Sequence, residues 1–268
     1  IKVIINTVDG PVSRILSLAN SPNQDYLEFA VGVSNSNFKQ AFKKLNSSNS
    51  IVIEKVNGGM AFQSHLPSVL IASGIGITPF RSMIQEAAEQ NFKQPISLVY
   101  GNRNQIPFEI EFKKYSSMSG NFKVTHILSN ASNEWTGLRG RIDANLLSEI
   151  VEQQSIQTQY YVVGSPEMVV SVQSSLLNLG VAKDSITIEA FTGNSESGKV
   201  TFVANDLNSN PNKMICFCHS VTEDQILDSI ASGAKSIEDI QSQTLASTGC
   251  GNCSCNVKRI LECNSKKQ

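Results

Sequence analysis

All six cysteines fall in the last fifth of the chain, none before Cys216. Cys216-Phe217-Cys218 and Cys250-Gly251-Asn252-Cys253 make two close pairs. A disulfide framework spreads its cysteines through a fold, so crowding into one tail points instead to a metal or cluster module. Four thiolates suit either a [2Fe–2S] cluster or zinc, and the C-x-C spacing is the less common one for zinc. Two short helices are expected between the pairs. Thr222 caps the first, which carries Ile226 and Ile230 and closes at Gly233. Ser236 caps the second, whose first turn holds Glu238 and Asp239, favourable to the helix dipole. A third helix is predicted from near Cys253, with Val257, Ile260 and Leu261. Backbone N–H groups at its start can bond to sulfur and stabilise an anionic cluster.

A second stretch able to do chemistry runs from Ser68 to Gln90 and reads strand, glycine turn, helix. Gly74 and Gly76 make a turn without side chains, Thr78 is the expected cap, and Pro79 suits the first helical position. Phe80, Met83, Ile84, Ala87 and Ala88 follow at helical spacing. Such a turn aims free N–H groups and a positive helix end at one spot, which suits a phosphate. A lone G-x-G is equally a packing turn, and Pro79 stands where the dinucleotide fingerprint has glycine. The rest of the chain must decide.

The elements that position these residues divide the 268-residue chain into several domains. Residues 1–66 are β-rich, with strands expected at Lys2–Thr7, after the Asp9-Gly10-Pro11 turn, at Tyr26–Val31 and at Ile51–Lys55, four in all and too few to close a barrel. One short helix, Phe38–Leu45, follows a cap at Ser36. Residues 67–193 alternate strand and helix, with strands at 69–72, 96–100, 122–128, 159–163 and 186–190 and helices near 79–90, 107–116, 143–152 and 166–179. Gly180 closes the last of these helices. Strict alternation implies a doubly wound parallel sheet, whose ligands lie outside the carboxyl ends of the strands. Three glycine turns follow strand ends there, at Gly74–Pro79, Gly101–Arg103 and Gly164–Met168, and together they point to a nucleotide. Asn102 and Arg103 occupy the place where an NAD-selective fold often has an acid; Arg103 either meets a 2′-phosphate or lies on the surface. Residues 194–212 read as a polar linker holding one short strand, and residues 213–268 as the cysteine module.

Composition narrows the partners. A net charge of -1 and 17% charged residues give no electrostatic case for nucleic acid. No apolar run of about 18 residues marks a membrane span, and no signal peptide is visible, so a cytoplasmic location is expected. The chain opens on Ile1 rather than Met, and a piece carrying any anchor is expected ahead of it. His65, His126 and His219 read as structural or surface residues.

Taken in order, these motifs resemble the ferredoxin–NADP reductase superfamily over residues 1–193. Arg14-Ile15-Leu16-Ser17 resembles its R-x-Y-S flavin motif; Gly74-Ile75-Gly76-Ile77-Thr78-Pro79, Tyr100-Gly101-Asn102-Arg103, Gly164-Ser165-Pro166-Glu167-Met168 and Ile188-Glu189-Ala190-Phe191-Thr192-Gly193 resemble its later motifs. The resemblance implies that Arg14 holds a flavin phosphate, that position 16 packs on the isoalloxazine, and that Ser17 lies near its N5. Leu16 stands where the family has Tyr, so ring stacking is lost there. Ser36 opens the short helix under the pyrophosphate, Val56–Phe62 is a degraded barrel end, and Glu189 and Phe191 border the meeting place of nicotinamide and flavin. About two more barrel strands are implied ahead of residue 1. Residues 214–263 resemble the bacterioferritin-associated-ferredoxin-like [2Fe–2S] domain, with Cys216, Cys218, Cys250 and Cys253 as its ligands and Cys255 and Cys263 outside the pattern.

These readings imply an NAD(P)H-dependent flavoprotein reductase that passes electrons through FAD to a [2Fe–2S] cluster, and on to an acceptor protein or a fused upstream domain. Two alternatives remain from the sequence: a flavin-dead module that docks to a redox or iron-storage partner, and a plain flavin reductase with a zinc-bearing tail.

Overall fold

The computed structural model of the protein describes residues 1–32, 34–55, 60–191, 200–202, 214–216, 221–247 and 254–265. The N-terminal part is an antiparallel three-stranded sheet in the order β2 (Gly10–Ile15), β1 (Lys2–Thr7), β3 (Val52–Lys55). The helix α1 (Asn37–Lys43) starts where the side chain of Ser36 accepts the Lys39 N–H, as predicted. Ile1, Val3, Ile5 and Phe38 form the core beneath it. The expected strand at Tyr26–Val31 is not one. Its backbone groups are taken by Asn20, whose Oδ1 accepts the Glu28 N–H and whose amide donates to the Tyr26 carbonyl. A side chain that satisfies the backbone locally competes with a ladder.

The large sheet has, among the described residues, the order β10-β9-β8-β4-β5-β6-β7. Its parallel core is β9 (Ile186–Ala190), β8 (Gln159–Gly164), β4 (Ser68–Ser73), β5 (Ile96–Asn102) and β6 (Phe122–Leu128), each within a residue or two of its expected place. β4 leads outward to β5 and β6, and the chain then returns to β8 on its other side, so the switch point lies between β4 and β8. The helices are α2 (Ile77–Glu89), α3 (Glu109–Met118), α4 (Ala144–Glu152) and α5 (Pro166–Asn178). Apolar cores fill both faces: Phe80, Ile84, Phe112 and Tyr161 on one, Val169, Val172, Leu176 and Leu147 on the other. Burying each such large side chain stabilises by about 1.5–3 kcal/mol. Gly180 follows α5 at φ +83, as a helix-closing glycine should. Two strands were not foreseen as sheet members. β7 (Leu138–Arg139) continues β6 in parallel, and β10 (Val200–Phe202), the strand of the predicted linker, pairs antiparallel with β9.

Beyond it, a hairpin of β11 (Met214–Cys216) and β12 (Val221–Thr222) precedes α6 (Glu223–Ala231), α7 (Ile237–Thr244) and α8 (Ser254–Ser265). Both predicted caps form full capping boxes, Thr222 with Gln225 and Ser236 with Asp239. Ile226, Ile240, Val257 and Ile260 make a small core of their own. Among the described residues, no helix is long and apolar enough to cross a membrane.

Candidate functional site

The rim at the carboxyl ends of β4, β5, β6 and β8 is built by backbone more than by side chains. Gly74 has φ +53, a left-handed conformation in which glycine carries no Cβ penalty. Gly76 has an ordinary helical φ of -59 but no room: a Cβ there would stand 2.6 Å from the Val163 carbonyl oxygen. The turn therefore lies directly on β8, across the switch point. Tyr100, fully buried in β5, donates its hydroxyl to the Gly74 carbonyl at 2.9 Å and holds the turn from below. Burial pushes the Tyr100 pKa up, so it stays a donor. Tyr100 opens the Tyr100-Gly101-Asn102-Arg103 motif, but its role was not legible there because a tyrosine in a strand reads as core.

Thr78 does not cap α2. A 3₁₀ turn over 74–76 already leads into the helix, which starts at Ile77, and the Thr78 hydroxyl donates to the Ile75 carbonyl at 3.1 Å. Pro79 accordingly falls at the third helical position rather than the first, still among the N–H groups that have no helical partner. Ile77, Thr78 and Pro79 are all buried, so they shape the turn rather than face solvent.

Above the turn opens a cavity of about 630 Å³ lined by residues from each predicted turn: Gly74, Asn102, Arg103, Ser165 and Met168. Ser165 caps α5 by accepting the Met168 N–H, and Pro166 occupies the first turn of that helix. Gly164 lies against Ser73 and Met168, where a Cβ would meet Oγ at 2.5 Å and Sδ at 2.8 Å. The Asn102 amide nitrogen is buried beside the Tyr100 hydroxyl, toward which it is a donor, so this side chain braces the rim from below. Arg141, which the sequence reading passed over, lines the same cavity beside Arg103. It comes in on the turn after β7, where Gly140 takes φ +118 and its N–H donates to the Leu128 carbonyl. Only the unforeseen strand β7 could have signalled it.

On the N-terminal sheet, Arg14 and Ile15 end β2, and Leu16 follows. Leu16 is partly buried and packs against the apolar core that holds Val3 and Phe38. Ser17 is buried, and its hydroxyl has no hydrogen-bond partner. Lys39, on the first turn of α1, has its pKa lowered by burial and by the positive charge of Arg14. Two cations brought this near each other favour an anion between them, so the residues present fit a flavin phosphate.

Glu189 is buried in β9, and the Phe191 N–H donates to the Gly164 carbonyl at 2.8 Å, which ties the end of β9 to the α5 turn. Thr192 and Gly193, as well as residues 56–59 of the degraded barrel end, lie outside the described residues.

Cys216 is fully buried in β11, within the small C-terminal core. Cys218, Cys250, Cys253 and His219 lie outside the described residues, although α8 begins at Ser254, directly after the second pair. His65 is exposed; His126 sits inside β6, against Tyr100.

Arg81 on α2 was not singled out from the sequence. It is buried, donates to the Ala19 carbonyl and to Glu111, pairs with Glu28, and stacks over Phe108. Burial disfavours its charge, and the two carboxylates outweigh that, so its pKa rises.

Two family models match the chain: the oxidoreductase NAD-binding domain over residues 70–174 and the BFD-like [2Fe-2S] binding domain over residues 214–263. NADH-cytochrome b5 reductase 1 of Kluyveromyces lactis is 30% identical over 156 residues, covering 55% of this chain and 54% of the relative. The anthranilate 1,2-dioxygenase electron transfer component of Acinetobacter baylyi is 27% identical over 187 residues, covering 66% of this chain and 53% of the relative. The chain thus spans about half the length of the curated relatives it matches. Among solved structures, a ferredoxin NADP+ reductase from Neisseria gonorrhoeae with bound FAD and NADP superposes with a TM-score of 0.59 at 23% identity, over 70% of this chain and 84% of that one. That likeness shows the fold.

Proposed function

The chain carries an oxidoreductase NAD-binding domain of the ferredoxin–NADP reductase type followed by a BFD-like [2Fe-2S] binding domain, and from that premise we propose that it is an NAD(P)H-dependent electron-transfer flavoprotein. In this reading FAD is held on residues 1–66 and NAD(P)H on residues 67–193. The cluster is held by Cys216, Cys218, Cys250 and Cys253, and a protein or an attached domain accepts the electrons. When bound, the flavin supplies the conversion between a two-electron donor and one-electron carriers.

The residues have separable tasks. Gly74 and Gly76 bring backbone N–H groups to the nucleotide phosphates, with Ile77, Thr78 and Pro79 fixing the turn. Asn102 and Arg103 receive the adenosine ribose, and Gly164, Ser165, Pro166 and Met168 close the opposite wall. Arg14 and Lys39 neutralise a flavin phosphate, with Ser36 holding the helix that carries Lys39. Ile15, Leu16 and Ser17 meet the flavin ring, and Ser17 donates its otherwise unsatisfied hydroxyl. Glu189 and Phe191 border the place where the two rings meet.

The observation that carries the reading is the switch-point cavity, onto which the three glycine turns converge over a glycine pressed against β8. Protein purified without air should show flavin and iron–sulfur absorption, and NADH or NADPH should bleach both. Colour that is absent, and that added FAD and iron fail to restore, refutes the proposal.

One observation favours a second reading. Leu16 is an aliphatic side chain packed against the apolar core where the family has an aromatic ring, which suits a chain that binds nucleotide and docks to a partner without a working flavin. Nucleotide binding without any reduction of ferricyanide or dyes selects that reading.

A further inference from the structure

We infer that Arg81 is a positioning residue, a buried clamp that fixes the stretch after the flavin motif onto the helix that opens at the nucleotide turn, and so sets how the two cofactors face each other. The inference rests on the flavoprotein reading above.

The guanidinium joins three separate pieces of chain. Its Nη1 donates to the Ala19 carbonyl at 2.7 Å and faces the Glu28 carboxylate at 2.8 Å. Its Nε donates to Glu111, on α3, at 2.8 Å. The Phe108 ring lies 4.5 Å below the guanidinium carbon, on a residue held at φ +62. Ala19 lies two residues beyond Ser17, and Arg81 lies in the helix whose first turn follows Gly76.

The 19–28 stretch is shaped to meet this one group. The Ala19 N–H donates to the Glu28 carbonyl at 2.9 Å, and Asn20 closes the loop from inside. Two acceptors, a carbonyl and a carboxylate, are thereby presented side by side. A planar fork with several fixed donors can bind both and still reach Glu111, whereas a lysine ammonium would satisfy fewer of them. Were the task only to pack α2 on α3, Glu111 would suffice, since it also accepts from Gln85. The Ala19 and Glu28 contacts add nothing to that packing; they cross from one cofactor's domain to the other's. A second set of bonds runs alongside to Glu89, from buried Ser21 and from Asn23 and Gln24 at the surface. Polar buried clamps of this kind are best attested as setting geometry rather than adding stability.

The test uses the full chain with Arg81→Lys, Glu28→Gln and Glu111→Gln. Amide exchange is followed over residues 19–28, and flavin reduction by NAD(P)H is followed by stopped flow beside nucleotide Kd. Arg81→Lys and Glu28→Gln should speed exchange over 19–28 with or without flavin. Arg81→Lys should slow flavin reduction about tenfold or more, since misplacement of about 1 Å costs on that order or beyond. Nucleotide Kd should stay within about twofold, because the clamp touches no part of the nucleotide rim. Glu111→Gln should leave the reduction rate nearly unchanged. Glu28 is partly exposed, so its variant folds even where Arg81→Lys does not. Unchanged exchange in both cross-domain variants overturns the clamp, and so does faster exchange with an unaltered reduction rate. A wild-type chain that takes up no flavin defeats the underlying reading instead, and with it the cofactor half of this inference.

Discussion

Gly76→Ala separates a turn that must touch β8 from one that merely lies near it. The backbone conformation at 76 is one alanine adopts without strain, and the substitution by itself would stabilise by about 0.4–1 kcal/mol through the unfolded chain. What opposes it is contact: the new methyl would stand 2.6 Å from the Val163 oxygen, 2.9 Å from its carbon and 3.2 Å from the Gly164 Cα. All three are backbone atoms of a central strand and cannot swing aside. Restoring ordinary contact at 3.4 Å moves the turn by about 0.8 Å. Overpacking of this order costs about 1–3 kcal/mol, and a shift near 1 Å in the turn proposed to cradle the phosphates should lower nucleotide-dependent activity by up to about a hundredfold. Gly164→Ala is the matched control. Its methyl meets the Ser73 hydroxyl and the Met168 sulfur, side-chain ends that can rotate away, so less than about 1 kcal/mol is expected. Urea unfolding and NAD(P)H titration of both variants check this. Equal losses in the two, or a Gly76→Ala protein as stable and as tightly binding as wild type, would show that the turn does not rest on β8 as described.

Serine at Cys216, Cys218, Cys250 or Cys253 should each strip iron and the cluster absorption while leaving flavin in place, whereas Cys263→Ser should keep both; iron analysis reads this directly. Thr222→Ala and Ser236→Ala each remove a capping-box hydroxyl and should destabilise the C-terminal helices by about 1 kcal/mol, seen in thermal melts. His126 has its pKa lowered by burial, and neither ring nitrogen has a hydrogen-bond partner. The folded state therefore disfavours its proton: the stability it contributes is full above about pH 6.5 and is lost as the pH falls toward the lowered folded value. His126→Leu should flatten that slope in urea titrations across pH 5–7. Arg103→Asp places an acid where ribose-binding acids sit and should move the kcat/KM ratio toward NADH, whatever the starting preference.

Much of the nucleotide half was legible because its signals are local. Each βα turn announces itself by an apolar run, a glycine and a capping residue, and Ser165, Thr222 and Ser236 cap as their spacing implies. Thr78 misled because a hydroxyl before a proline looks like a cap, while the preceding 3₁₀ turn, closed by backbone alone, leaves no pattern in residue types. Tyr26–Val31 alternates like a strand, but the competing partner, Asn20, is read only in three dimensions. The roles of Arg81, Tyr100 and Arg141 went unread for the same reason: they come from contacts with residues distant in sequence.

The short strand β10 bears on how far the C-terminal domain can lie from the large sheet. It runs antiparallel to β9, from Val200 opposite Ala190 to Phe202 opposite Ile188, so the chain departs from the rim at the carboxyl ends of the strands toward the far end of the sheet. The eleven residues 203–213 then span at most about 40 Å before the cluster module begins. The two parts are covalently joined, so that length is an upper bound on their separation. The electron handover proposed above is therefore expected to be intramolecular, with a rate constant that stays unchanged on dilution.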